Sequence, residues 1–296
     1  MDARAARPIG MFDSGFGGLT VARAAIDLMP DESFVYVGDA ARYPYGNKAP
    51  SDVARFAREL ATSLVEDHGV KMVVVACNTA ASVALDDLRR DLPVPVIGVV
   101  EPGARALVRV THNGRVGVVG TVGTISSGAY ERAVGATGAD VRLTSAACPG
   151  LVEFVERGQT SGPEVRVLAE RLLAPVREAG VDSLLLGCTH YPYLSGVIGE
   201  VMGPDVVLVS SASETAFAIR DALDEAGLAA PRSGATGSGA TSSGAHSAPD
   251  ASGAGVRPAH RFLTSGDPDD FTAIGRRLFG ADLPAAGQWA RVGQRS

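Results

Sequence analysis

Lysine is almost missing from this 296-residue chain: Lys48 and Lys71 are the only two, and arginine carries the rest of the positive charge. Chemistry that needs a lysine Schiff base is thereby confined to two positions. Lys71 opens a strand-like run, Lys48 lies in a loop, and neither has a phosphate-binding cup in the sequence around it, so no cofactor of the pyridoxal kind is expected. Cysteine is scarce as well. Three of them, with no CxxC and no cysteine–histidine cluster, make neither a disulfide framework nor a zinc site, and no metal is expected. Reduced thiols fit a cytoplasmic protein. No apolar run reaches the length of a membrane helix, and Met1 to Gly10 has arginines without the apolar segment of a secretory signal, so no membrane partner is expected. A basic excess is also lacking: the formal net charge of -6 speaks against a nucleic-acid surface.

What remains is a chain with 46% hydrophobic and 20% charged residues, ample for a core. Apolar runs with strand character occur at Pro8–Phe12, Phe34–Val37, Met72–Ala76, Val96–Val100, Val116–Gly120, Val141–Thr144, Ser183–Gly187 and Val206–Val209. Helical patterns lie between them, at Ser51–His68, Ala80–Arg90, Gly128–Val134 and Pro163–Ala179. Short valine, isoleucine and leucine runs separated by helices indicate mainly parallel sheets covered on both faces. The expected fold class is α/β.

Two segments are written twice. Ile9-Gly10-Met11-Phe12-Asp13-Ser14-Gly15 has a counterpart in Val116 to Gly123, and Val73 to Thr79, with Cys77, has one in Leu184 to His190, with Cys188. Near-equal offsets indicate a duplicated unit, hence two pseudo-symmetric α/β sandwich domains with the active site in the cleft between them. We place the first domain at 1–99 plus 211–296 and the second at 100–210. Residues 231–258, rich in serine, glycine and alanine, have too little to bury to offset their ordering entropy and read as a flexible insertion in the first domain.

Ligands collect at the carboxyl ends of strands in such sheets, where Cys77 and Cys188 both stand. A helix start after Cys77, capped by Asn78 or Thr79, would lower a thiol pKa. A lone cysteine in such a place is most simply a core residue; a matched pair at equivalent strand ends favours function. Two thiols on opposite faces of one carbon suit removal of a proton from one side and its return to the other. Asp13 could orient or deprotonate a group near Cys77, and His190 could make Cys188 more acidic or act as a proton donor. Tyr45 and Gly46 could line the same cleft. The glycines after Asp13 match neither GxGxxG nor a Walker motif, and a tight turn accounts for them as well. Cys148 lacks a strand-then-helix setting and a counterpart in the other half, and is taken as structural.

Together, Phe12 to Gly18, Pro44-Tyr45-Gly46, Ala76 to Thr79, Gly120-Thr121 with Thr124, and Gly187 to Pro192 resemble the glutamate racemases of the aspartate/glutamate racemase superfamily. The likeness runs from about residue 8 to 215 and resumes more weakly over Arg261 to Gly280. It implies cofactor-independent interconversion of L- and D-glutamate, supplying D-glutamate for peptidoglycan. It further implies that Cys77 takes the α-proton from D-glutamate and Cys188 from L-glutamate, assisted by Asp13 and His190. Ser14, Tyr45, Gly46, Asn78, Thr79, Thr121 and Thr189 match substrate-binding positions, as Asp13 and His190 also do, and Glu156 matches an acidic catalytic residue of the second domain. The insertion at 231–258 departs from the family pattern. A homodimer is expected, and the resemblance includes members that bind DNA gyrase, although no acidic run supports nucleic-acid mimicry here. The competing readings are a sister racemase acting on aspartate, a single-thiol lyase or decarboxylase of similar fold, and a non-enzymatic binding protein.

Overall fold

The computed structural model describes residues 3–231 and 258–290; nearly all of the expected insertion at 231–258 lies outside them. Ten strands are found among the described residues: β1 (Ile9–Asp13), β2 (Phe34–Gly38), β3 (Met72–Val75), β4 (Val96–Gly98), β5 (Arg115–Gly120), β6 (Arg142–Ala147), β7 (Ser183–Gly187), β8 (Val207–Ser210), β9 (Arg261–Thr264) and β10 (Gly287–Gln288). They form two all-parallel sheets, in the orders β10-β9-β2-β1-β3-β4 and β6-β5-β7-β8. Every residue of β1, β2, β3 and β7 is buried, which is why these strands read as unbroken apolar runs rather than as alternation.

The duplication is visible in the strand order: β2-β1-β3-β4 in the first sheet corresponds to β6-β5-β7-β8 in the second. Register fixes what this brings together. Phe12 pairs with Val75, so Asp13 and Ser14, just beyond β1, come beside Ala76 and Cys77, just beyond β3. Gly120 pairs with Gly187, which likewise sets Thr121 beside Cys188.

Eleven α-helices are described: α1 (Leu19–Leu28), α2 (Pro50–Glu66), α3 (Asn78–Asp91), α4 (Val100–Val110), α5 (Val122–Ser126), α6 (Ala129–Gly135), α7 (Leu151–Glu156), α8 (Pro163–Glu178), α9 (Ser195–Met202), α10 (Ser211–Glu225) and α11 (Pro268–Phe279). Helix α2 shows how the sequence covers a sheet: Val53, Phe56, Ala57, Leu60, Ala61 and Leu64 recur at three- and four-residue spacing and form its buried face. Helix α10 packs on both α1 and α4, tying the two sheet systems together. One buried cluster spans the first sheet and the α4–α6–α10 side of the second. The other fills the space among α7, α8, α9 and the second sheet.

The expected strand over Val96–Val100 is shorter, ending at Gly98, because Val100 already opens α4. No helix of the described residues is long and apolar enough to cross a membrane.

Candidate active site

Cys77 directly follows β3 and is itself the N-cap of α3: its sulfur accepts from Ala80 N–H at 3.4 Å. Asn78 and Thr79, expected as caps, are instead the first two residues of the helix. The thiol donates to Ser14 Oγ at 3.6 Å. Burial pushes this thiol up to about 12, and the neighbouring Asp13 carboxylate adds to the rise, against the opposing bonds from Ala80 and Ser14. The helix N-terminus therefore does not lower this thiol's pKa as the sequence suggested; desolvation and a like charge outweigh it.

Asp13 ends β1 and is fully buried. Its Oδ2 accepts from Gly15 N–H at 2.9 Å, while Oδ1 has no hydrogen-bond partner. Burial raises its pKa, opposed by His190 and by the backbone N–H groups of the Ser14–Gly18 turn.

Cys188 follows β7, and its surroundings differ. A short 3₁₀ turn, Tyr191–Leu194, comes next, with Pro192 in its first turn, and α9 begins only at Ser195. Cys188 therefore has no α-helix N-terminus at its back. Its sulfur lies 3.9 Å from His190 Nδ1, and His190 Nε2 lies 3.4 Å from Glu156 Oε1. Burial disfavours a charged imidazole, but contacts with Cys188 and Glu156, joined by the Asp13 charge, push it up to about 10.

Thirteen residues enclose a single small cavity, and Cys77, Cys188, Ser14, Tyr45, Gly46, Asn78, Thr79, Thr121, Thr189 and His190, all sequence candidates, are among them. Asp13 and Glu156 are not: they stand one layer back, behind Cys77 and His190. Tyr45 faces the cavity, but its hydroxyl is bonded to the buried Asp39, which also accepts from Arg42 Nε at 2.7 Å and from Ser265 Oγ at 2.6 Å. Asn78 Oδ1 accepts from Tyr130 at 2.6 Å, leaving its buried Nδ2 without a partner. The hydroxyls of Thr79, Thr121 and Thr124 form a triangle with edges of 2.9, 3.2 and 2.9 Å across the two halves.

Three lining residues escaped the sequence reading: Tyr43, Pro44 and Val152. Tyr43 comes from the first half yet packs against the second half's core, its ring 6.1 Å from that of His190. Cys148 needs a correction in its setting. It directly follows β6 and shortly precedes α7, the very strand-then-helix context it was expected to lack. It is buried, donates weakly to Ala146 O at 3.8 Å, and lines a neighbouring cavity rather than the one with the two thiols.

The loop after β1 is drawn tight against the second half. A Cβ placed on Gly17 would stand 2.5 Å from His190 Nδ1 and closer still to Thr189 Oγ1, so only glycine fits. Among the described residues no group of histidine, cysteine and carboxylate side chains is placed to hold a metal.

Residues 20–219 match the sequence profile of Asp/Glu/hydantoin racemases. The chain belongs to that family. A glutamate racemase of Parafrankia is 49% identical to it over 278 residues, covering 94% of this chain and 92% of the relative. In solved structures, a glutamate racemase isoform from Bacillus anthracis superposes with a TM-score of 0.84 at 36% identity, over 97% of this chain and 98% of the other. The Francisella tularensis glutamate racemase, solved in complex with D-glutamate, does so with a TM-score of 0.81 at 28% identity, over 96% and 97%. This member of the Asp/Glu/hydantoin racemase family is thus an amino-acid racemase, and the two-sheet α/β fold is the family's.

Proposed function

We propose that the chain interconverts L- and D-glutamate without a cofactor, Cys188 taking the α-proton of L-glutamate and Cys77 that of D-glutamate. The observation that carries this reading is that both thiols, from equivalent strand ends of two like sheets, line one buried cavity. In the L-to-D direction the C–H bond breaks toward Cys188 as thiolate, the electron pair is held as a carbanion conjugated with the carboxylate, and the Cys77 thiol returns a proton to the opposite face. Cys77, pushed up to about 12, holds its proton at neutral pH and is ready to donate it. His190, protonated at the same pH, stands as a counter-ion for the thiolate of Cys188.

The orphan donor of Asn78 and the threonine triangle suit the substrate's carboxylates, which strengthen the carbanion's stabilisation in a water-poor site. The cavity has only about 20 Å3 for the centre of a water-sized sphere, room for about one water molecule. Substrate binding thus requires the two halves to part and close again, with the domains divided near residues 99 and 211. Bacterial relatives support a role in peptidoglycan supply, a cytoplasmic setting and a homodimer.

Incubation of the cofactor-free protein with L-glutamate in D2O, followed by NMR and chiral chromatography, tests the reading. Deuterium at the α-carbon together with D-glutamate supports it; turnover of aspartate instead of glutamate would replace the substrate, and no exchange with either would overturn it.

A further inference from the structure

Next to the catalytic cavity lies a far larger one of about 470 Å3, within the roughly 300–1,000 Å3 range of small-molecule sites. Gly46 lines both, and the two share a wall in which Gly123 N–H donates to Gly46 O at 2.9 Å. Its lining holds one charged residue, Lys48, together with Ser82, Ser126 and Ser127 and the apolar Val83 and Val122; no carboxylate is present. Val122 is 41% exposed, which leaves this cavity in touch with solvent.

Lys48 makes no ion pair and no side-chain hydrogen bond among the described residues, although it is partly buried. The contrast with the other lysine is plain: Lys71 is buried against Glu32 at 2.6 Å and also bonds Ala5 O at 2.7 Å. A partly desolvated, unpaired ammonium in a chain of net charge -6 is a local attractor for anions.

We propose that this cavity is an outer subsite for the anionic amino-acid substrate, one carboxylate resting on Lys48 until the Gly46–Gly123 wall parts and admits the molecule to the thiols. The proposal builds on glutamate as substrate. It makes Lys48 a determinant of preference for acidic over neutral amino acids, acting on capture rather than on proton transfer.

The test compares wild-type protein with Lys48→Ala, Lys48→Glu and Lys48→Arg in kcat and kcat/KM for both glutamate enantiomers, at about 20 mM and about 500 mM salt, where the screening length falls from roughly 20 to 4 Å. The expected result is a three- to tenfold lower kcat/KM for Lys48→Ala at low salt, a larger loss for Lys48→Glu and recovery in Lys48→Arg. The wild-type advantage should close at high salt, with kcat within twofold throughout. Equal kcat/KM for wild type and Lys48→Ala at low salt overturns the subsite, and so does a loss that persists undiminished at high salt, since that marks a structural role. Absence of glutamate turnover in the wild type overturns the substrate reading itself, before any variant is compared.

Discussion

His190 reaches Cys188 with Nδ1 at 3.9 Å and turns its other nitrogen, Nε2, toward Glu156 at 3.4 Å, so one imidazole joins the second thiol to an acidic group behind it. No such relay serves Cys77, whose neighbours are the Ser14 hydroxyl and the sealed carboxylate of Asp13. The two thiols are alike in chain position and unlike in proton management.

Replacing either thiol should separate their roles. Cys77→Ser and Cys188→Ser are each expected to lose racemisation by at least about 10²-fold, the lower range for a positioned acid–base group. Residual α-deuteration in D2O should be one-sided, seen with L-glutamate for Cys77→Ser and with D-glutamate for Cys188→Ser. Exchange of both enantiomers by either variant would refute the assignment.

Stability should fall on the alkaline side. The folded state holds the His190 proton up to about 10, whereas the free side chain loses it near 6.5, so this contribution is complete below 6.5 and disappears as pH rises through 10. The thiols of Cys77 and Cys148, raised by burial from 9.0 to about 12, extend the decline above pH 9. Melting temperatures measured from pH 6 to 10.5 should drop continuously, and His190→Asn should flatten the slope between 6.5 and 10.

Asp13 is expected to cost stability while serving catalysis. Its raised pKa means that the ionised form is disfavoured in the fold at neutral pH. Asp13→Asn should therefore raise the melting temperature by about 2–4 °C, equivalent to roughly 1 kcal/mol, and lower kcat by about 10²-fold. Calorimetry and kinetics on one preparation would check both; a less stable variant would contradict the argument.

Gly17→Ala offers a probe far from any titrating group. The added methyl collides with Thr189 and His190, and their displacement should cut kcat by about 10²-fold. A melting temperature at pH 7 within a few degrees of wild type would show that the loss comes from misplacement of those groups and not from unfolding.

The strands that matter most were legible because parallel strands buried on both faces show as unbroken apolar runs, and the repeat placed Cys77 and Cys188 at equivalent ends. What escaped depended on packing between distant segments. β6 is partly exposed and made of small and polar residues, so the strand end before Cys148 left little pattern. Pro192 sits in the first turn of a 3₁₀ segment after Cys188, where an α-helix start was expected. Tyr43 belongs by sequence to the first half and by contact to the second, a relationship no local periodicity expresses. The behaviour of the Cys77 thiol likewise depended on how deeply it is buried, which spacing alone does not state.

The unlike flanks of the two thiols have a thermodynamic consequence. L- and D-glutamate have equal free energy in achiral water, so their equilibrium constant is one, and the Haldane relation forces kcat/KM to be the same from either side. Asp13 beside one sulfur and His190 beside the other therefore cannot favour a direction. They can only scale kcat and KM together, giving one enantiomer tighter binding with slower turnover and its mirror image the reverse.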